Sequence, residues 1–360
     1  MKYKKLTLAS MLNMIPFVET YREYNSKKFQ ADIMAALTVA IVALPQSMAY
    51  AMIAGVNPKY GLYAAIIPVI ISSLLGSSRY LIAGPTNAIS MVVASTMSSL
   101  MIGTMVADKL PEDQKMYLLF LLAFMMGAIQ LIMGIAKFGS LINFVSHSVI
   151  IGFTAGAGVL IAFNQLKNLL GLSLTLSPHF VDAMIGTFEH VGQTNLYALG
   201  LGLFTISFIL ICKKFFPKVP GPFFSMILSA AIVAIFGLSA NGVKTIGEIP
   251  KNLPPFSMPD FNIDTIRILF MPALALSILG IVEALSIAKS IASSTGEKIN
   301  GNQEFIAQGL ANMAAAFTSA IPGTGSFTRS AVNFKSGAKT RFAGVFSGIL
   351  VLITLLLFAA

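Results

Sequence analysis

Charge is scarce in this chain: Asp, Glu, Lys and Arg make up 11% of its 360 residues, while 56% are hydrophobic and the mean hydropathy is +0.81. Soluble domains carry about 25% charged residues, so the composition excludes a cytosolic enzyme and a nucleic-acid-binding protein. Cysteine is nearly absent, and Cys212 alone builds no disulfide framework. The three histidines, His147, His179 and His190, show no metal-ligand spacing, no Ser/His/Asp arrangement is visible, and no cofactor is implied. The run from Gly323 to Ser330 is rich in glycine and hydroxyls. It lacks the Gly-Lys-Ser/Thr ending of a phosphate-binding loop, which removes an ATPase. Absent too are the ~10-residue alternation of an outer-membrane barrel and any soluble domain. A polytopic, all-helical membrane protein remains.

A spanning helix needs about 20 mostly apolar residues, and in lipid its backbone groups must pair within the segment. Spans are accordingly expected near 31–54, 60–76, 86–106, 116–136, 144–163, 195–212, 221–238, 265–292, 303–320 and 341–360, with a shorter apolar piece at 323–334. Gly152, Gly156 and Gly158 with Ala155 and Ala157 read as close helix packing. The 19 methionines read as lipid- and core-facing filler. Residues 1–30 read as an amphipathic cytoplasmic segment, not a signal peptide. The apolar run after Lys2, Lys4 and Lys5 is broken by Asn13 and Pro16, and no Ala-x-Ala site follows. The chain closes in an apolar run with no polar cap, which reads as a truncated sequence.

The net charge of +10 is explained by topology. With the N-terminus inside and the spans alternating, fifteen of the 24 basic residues fall inside, Arg22, Lys27, Lys28, Arg79, Lys339 and Arg341 among them. Seven fall outside, and Lys289 and Arg329 lie within spans. That bias is the one expected of cytoplasmic loops.

Two stretches break the helical pattern at membrane depth, Arg79 to Ser90 and Ala320 to Ser330. Each offers an extended Gly/Pro lead-in and then hydroxyl residues opening a helix. Irregular backbone there is tolerated only where it is buried in protein or lines a cavity. A helix that starts there presents free N–H groups and a positive dipole end, which suits an anion. Pro85 and Pro322 are 237 positions apart, as are Gln46 and Glu283. A shared offset after an odd number of spans suggests an inverted repeat, as in many secondary transporters. Glu283 is the only acidic residue in the middle of a span, and two readings stand for it: exchange of a coupling ion, or a structural ion pair with Lys289 or Arg329. Arg329 either faces an oxyanion or snorkels toward the cytoplasm. Gln46 and Tyr50 share one helix face, as site residues or as an interhelical polar contact.

With these residues in view, the chain resembles the SulP anion permeases (the SLC26 family). The resemblance is carried by Phe29 to Tyr50 with its Leu44-Pro45-Gln46-Ser47-Met48 core, by Ala54 to Tyr63, and by Ile82-Ala83-Gly84-Pro85-Thr86. Later come Asn302 to Asn312, Gly325 to Asn333 and Ser336 to Thr340. The resemblance implies a UraA-like fold, a 7+7 inverted repeat with a core domain and a gate domain. On that reading 1–30 is a cytoplasmic segment, 31–136 core segments one to four, 137–264 gate segments five to seven, and 265–360 core segments eight to eleven. The fold would then be incomplete after about the eleventh segment, without the rest of the gate and a STAS domain. It further implies that the anion is held by Gln46 and Tyr50, by Thr86, Asn87 and Ala88 opening the third segment, and by Ser326, Phe327, Thr328 and Arg329 opening the tenth. Glu283 matches the cation-coupling position.

The function expected is secondary transport of an inorganic oxyanion, sulfate first, by H⁺ symport with an elevator-type motion. The alternatives are Na⁺-coupled bicarbonate uptake and an uncoupled exchanger or channel. The expected setting is a bacterial inner (plasma) membrane, multi-pass, with the lipid bilayer as partner and a homodimer when full length.

Overall fold

The computed structural model describes residues 16–102, 105–106, 110–139, 156, 159, 162–163, 165–172, 180–216, 221–243, 245 and 253–358. The span expected at 144–163 apart from 156, 159 and 162–163, the glycine cluster apart from Gly156, the Lys2–Lys5 run, His147 and His179 lie outside them. In chain order come α1 (Pro16–Arg22), α2 (Ser26–Ile53), α3 (Pro58–Ala64), α4 (Ile67–Leu75) and α5 (Asn87–Ser99). A two-residue antiparallel pair, β1 (Met101–Ile102) with β2 (Met105–Val106), leads to α6 (Glu112–Ile135). Then follow α7 (Phe180–Glu189), α8 (Leu196–Phe215), α9 (Gly221–Ile235), α10 (Ile263–Thr295), α11 (Gly301–Phe317), α12 (Phe327–Lys335) and α13 (Phe342–Phe358).

Local sequence sets the breaks. Asn25, Asn57, Asn195, Asn262 and Asn300 each precede a helix and accept hydrogen bonds from its first amides, satisfying donors the helix itself cannot pair. α2 stops at Gly55, whose φ of +74° lets Val56 N–H turn back to Ala51 C=O at 3.0 Å. The segment expected as one span at 60–76 is two helices, because Pro68 in the first turn of α4 has no N–H to continue from α3. Pro45 and Pro272, by contrast, sit inside α2 and α10 without ending them. Among the described residues, five stretches are long and apolar enough to cross a membrane: Ser26–Ile53, Pro58–Leu75, Glu112–Ile135, Leu196–Phe215 and Ile263–Thr295.

The chain divides into a larger unit, residues 1–146 and 249–360, and a smaller one, 147–248. These divisions lie ten and sixteen residues from the 136/137 and 264/265 boundaries read from sequence. Extended residues 253–262 join the larger unit because they are tied to the end of α11: Ser257 N–H and Oγ donate to Phe317 C=O (3.0 Å) and Ala316 C=O (2.6 Å). In the larger unit α6 packs on α10 and α11, and α13 on α2 and α4. A Cβ on Gly127 of α6 would stand 2.6 Å from Gly309 C=O of α11, so the missing side chains let two backbones touch. Leu119, Leu122, Met126, Leu269, Ala273 and Leu276 fill the core around that contact.

Two buried carboxylates fasten the loops of this unit. Asp32 in α2 accepts from Lys339 N–H (2.7 Å), Thr340 N–H (3.0 Å), Thr340 Oγ1 (2.5 Å) and Tyr24 OH (3.3 Å). Glu304 in α11 accepts from Ser77 N–H (2.9 Å), Ser78 N–H (3.3 Å) and Gln308 Nε2 (3.3 Å). One carboxylate holds the loop after α12, the other the loop before α5. In the smaller unit α8 packs on α9, with Thr205 and Ser229 hydroxyls 2.9 Å apart.

Candidate anion site

The two stretches that interrupt the helical pattern meet inside the larger unit. Thr324 N–H donates to Gly84 C=O at 2.9 Å and Ser326 N–H to Ile82 C=O at 2.8 Å, so the segments run antiparallel. Ile82 N–H in turn donates to Ser330 Oγ at 2.9 Å. Only glycine fits at the crossing. Gly84 has φ +125°, and a Cβ on Gly323 would strike Gly84 C=O.

From this crossing two short helices start. Thr86 caps α5, its hydroxyl accepting from Ile89 N–H at 3.5 Å, and Ser326 caps α12, accepting from Arg329 N–H at 3.4 Å. The caps are 240 positions apart, whereas Asn25 and Asn262, the caps of α2 and α10, are 237 apart. The repeat thus slides by three residues between its first long helix and its half-helix. The half-helix caps Thr86 and Ser326 likewise differ in offset by three residues from Pro85 and Pro322.

Arg329 is fully buried, which removes the snorkelling alternative. Its Nη2 donates to Pro85 C=O at 2.6 Å, bridging from α12 to the end of the other segment. Its Nε and Nη1 have no partner among the described residues. Neither do both amide atoms of buried Asn87, nor Ser90 Oγ and Gln46 Oε1. Buried polar atoms are ordinarily paired, so this cluster of orphans marks a place prepared for a polar ligand. Glu283 accepts from Thr86 Oγ1 at 3.3 Å and forms no ion pair within 4 Å among the described residues. Tyr50, Glu283 and Arg329 nevertheless lie within electrostatic reach of one another.

Gln46, Tyr50, Thr86, Asn87, Glu283, Ser326 and Arg329 are buried or half-buried, and Ala88 is half-buried at the second position of α5. Phe327 is 57% exposed and Thr328 is also exposed, at the first two positions of α12. Behind the crossing stands a relay that the sequence reading missed. Asn312 of α11 accepts from Gly323 N–H (2.9 Å) and donates to Gln130 Oε1 of α6 (2.9 Å). Gln130 Nε2 reaches Ser277 C=O of α10 at 3.4 Å, and Thr324 Oγ1 donates to Gly280 C=O at 2.5 Å. The available signal was Glu304, Gln308 and Asn312, a polar stripe every four residues along an apolar helix.

Comparison with known proteins gives the family and the fold. The Sulfate permease family profile matches residues 29–360. A putative sulfate transporter of Bacillus subtilis, YvdB, is 36% identical over 346 residues, 95% of this chain and 63% of its own length. The chloroplastic sulfate transporter 4.1 of Arabidopsis thaliana is 32% identical over 99% of this chain and 52% of its own length. The chain thus spans between about half and just under two thirds of these relatives. Among solved structures, the transmembrane domain of the cyanobacterial bicarbonate transporter BicA superposes with a TM-score of 0.79 at 25% identity, over 93% of this chain and 84% of that one. SLC26A9 gives 0.84 at 23% identity, over 97% of this chain and 57% of that one. The fold is the UraA-like transporter fold of these membrane domains.

Proposed function

The chain belongs to the sulfate permease family, a family of multi-pass transporters and not of enzymes, and on that premise we propose that it carries a small oxyanion, sulfate first, through a membrane. The observation that carries this reading is the set of unpaired buried donors at the crossing, Arg329 Nε and Nη1 with the Asn87 amide, beside two helix N-termini. A tetrahedral oxyanion accepts from such donors on several sides. The guanidinium adds a full positive charge where water is excluded.

Glu283 supplies the coupling. Its carboxylate is one hydroxyl away from the cap of α5 and shares the field of Arg329. A divalent anion arriving beside an ionised Glu283 meets repulsion at low dielectric. A proton taken up there removes it, so anion and H⁺ travel together. The site residues all belong to the larger unit, which on this reading is the moving core of an elevator, with the smaller unit as its gate.

Bicarbonate is the rival cargo, supported by the likeness to BicA. Uptake of radiolabelled sulfate into proteoliposomes, with an inward proton gradient and with Na⁺ replaced by choline, tests the proposal. Sulfate uptake driven by the proton gradient and indifferent to choline is expected, with Glu283→Gln losing the pH dependence. Uptake of bicarbonate but not sulfate, or a Glu283→Gln variant with unchanged pH dependence, would overturn it.

A further inference from the structure

A second cluster of cations stands apart from the orphaned donors at the crossing and shares none of their residues. Where α1, the start of α2, the 79–80 segment and the loop before α13 converge, a cavity of about 430 Å³ opens. Five cations line it, Lys27, Lys28, Arg79, Lys339 and Arg341, against one acid, Glu23. Counting Asp32 behind the loop, Glu297 beside Arg79 and Glu304 in the field of Arg341, five positive charges still face four negative ones. Lys28 is shared with Glu23 (3.6 Å) and Arg79 with Glu297 (3.6 Å), while Lys27 and Lys339 have no partner among the described residues.

The cavity is built, not assembled from loose side chains. Buried Arg341 donates from Nε to Thr20 Oγ1 at 2.9 Å and from Nη1 to Gly76 C=O. It thereby pins α1 to the loop after α4. Asp32 grips the backbone of Lys339 and Thr340, leaving the Lys339 ammonium exposed. Lys27 and Lys28 break a local rule. They occupy the first turn of α2, at the positive end of its dipole, where acidic residues are favoured and none is present. The conflict stands beside three further cations, Arg79, Lys339 and Arg341. A bound anion satisfies the lysines and the helix end together.

We infer that this cavity binds a phosphate group, mono- or diester, as a site separate from the transported anion. Its position favours a lipid headgroup as the source. Lys27 and Lys28 open an apolar helix of 28 residues, and exposed Tyr21 and Phe29 flank it, an arrangement that suits the interfacial layer where headgroups lie. Free phosphate offers the same chemistry from solution.

Native mass spectrometry of the purified protein, with phosphatidylglycerol or phosphatidylcholine added, separates the sources when run beside calorimetric titration with inorganic phosphate. At least fivefold preferential retention of phosphatidylglycerol, lost in the Lys27→Gln/Lys28→Gln/Lys339→Gln triple variant, is expected. Lys339→Gln alone keeps every backbone bond to Asp32 and guards against misfolding, and a partial loss is expected of it. Inorganic phosphate binding that the triple variant abolishes, with no lipid preference, supports the site and assigns it to a soluble ligand. Equal binding of both ligands by the parent and the triple variant would overturn it, whatever the outcome of the sulfate uptake assay.

Discussion

Replacing Gly84 by alanine adds one methyl at the point where the two repeats cross. Its carbon would stand 2.7 Å from Nη1 and 3.1 Å from Nη2 of Arg329. Arg329 is held to Pro85 C=O through Nη2, so a guanidinium that yields to the methyl gives up that bond or moves its free Nε and Nη1. The backbone objects as well, since φ at Gly84 is +125° and holding an L-residue in such a region costs about 1–3 kcal/mol. If the shift removes one charge-assisted hydrogen bond to the anion, about 1.5–3 kcal/mol is lost. At 1.4 kcal/mol per decade, sulfate should bind about 10- to 150-fold more weakly. Isothermal titration of purified Gly84→Ala with sulfate measures this. Gly296→Ala is the control, because Gly296 has φ +73° but nothing within 4 Å of a Cβ. It bears the backbone strain and leaves the guanidinium alone, so it should lower the melting temperature and spare the affinity. Parental affinity in Gly84→Ala, or an equal loss in Gly296→Ala, would refute the steric reasoning.

Three further substitutions probe the frame around the site. Asp32→Asn replaces a charged acceptor of four hydrogen bonds by a neutral amide whose N–H₂ must face the Thr340 and Tyr24 hydroxyls, and should cost about 1–3 kcal/mol in stability, read as a lower melting temperature; an unchanged melt contradicts the anchoring role. Asn312→Leu leaves the Gly323 N–H and the Gln130 carbonyl buried without partners, at about 1–3 kcal/mol each. It should also weaken sulfate binding, although Asn312 is not placed to touch the anion, so loss of stability with full affinity counts against the relay. Burial pushes the Glu297 carboxyl above its ordinary 4.5, against the pull of the Arg79 N–H and guanidinium. A carboxyl with a raised folded pKa binds its proton more tightly in the folded chain. Its contribution is therefore most favourable below 4.5 and falls as pH rises through the folded value. Glu297→Gln should flatten that fall in a series of melting curves upward from pH 4.5.

Much of the architecture was legible from the sequence because its causes are local. Asparagine caps, Gly55 and long apolar runs fix where α2, α6, α8, α10 and α11 begin and end, within a few residues of the expected spans. The half-helices α5 and α12 were legible for the same reason: a Gly/Pro lead-in followed by a capping hydroxyl. What was not legible depends on tertiary partners. Asp32 and Glu304 sit near helix ends, where an acid ordinarily reads as solvated, and only the returning loops show that they are buried anchors. Proline has opposite outcomes in one chain: Pro272 leaves α10 continuous, while Pro68 opens a new helix. Phe327 and Arg329 are two positions apart on one half-helix, yet one is exposed and the other fully buried. On a nine-residue helix, a sequence position alone does not say which face turns inward.

The backbone bonds that join the two repeats also order events in time. Gly84 C=O and Ile82 C=O wait for Thr324 N–H and Ser326 N–H. These partners leave the ribosome about 240 residues later, a delay of about 12–50 s at 5–20 residues per second. For that interval the first half-helix exists with its extended lead-in unpaired, in surroundings where an unpaired carbonyl is costly. The crossing is therefore among the last parts of the larger unit to form, and nascent chains halted before residue 326 cannot hold an anion there, however complete their first helices. Slowing synthesis across the first repeat is harmless on this account, whereas slowing it between the repeats lengthens exposure of the unpaired edge and raises the yield of misassembled chains.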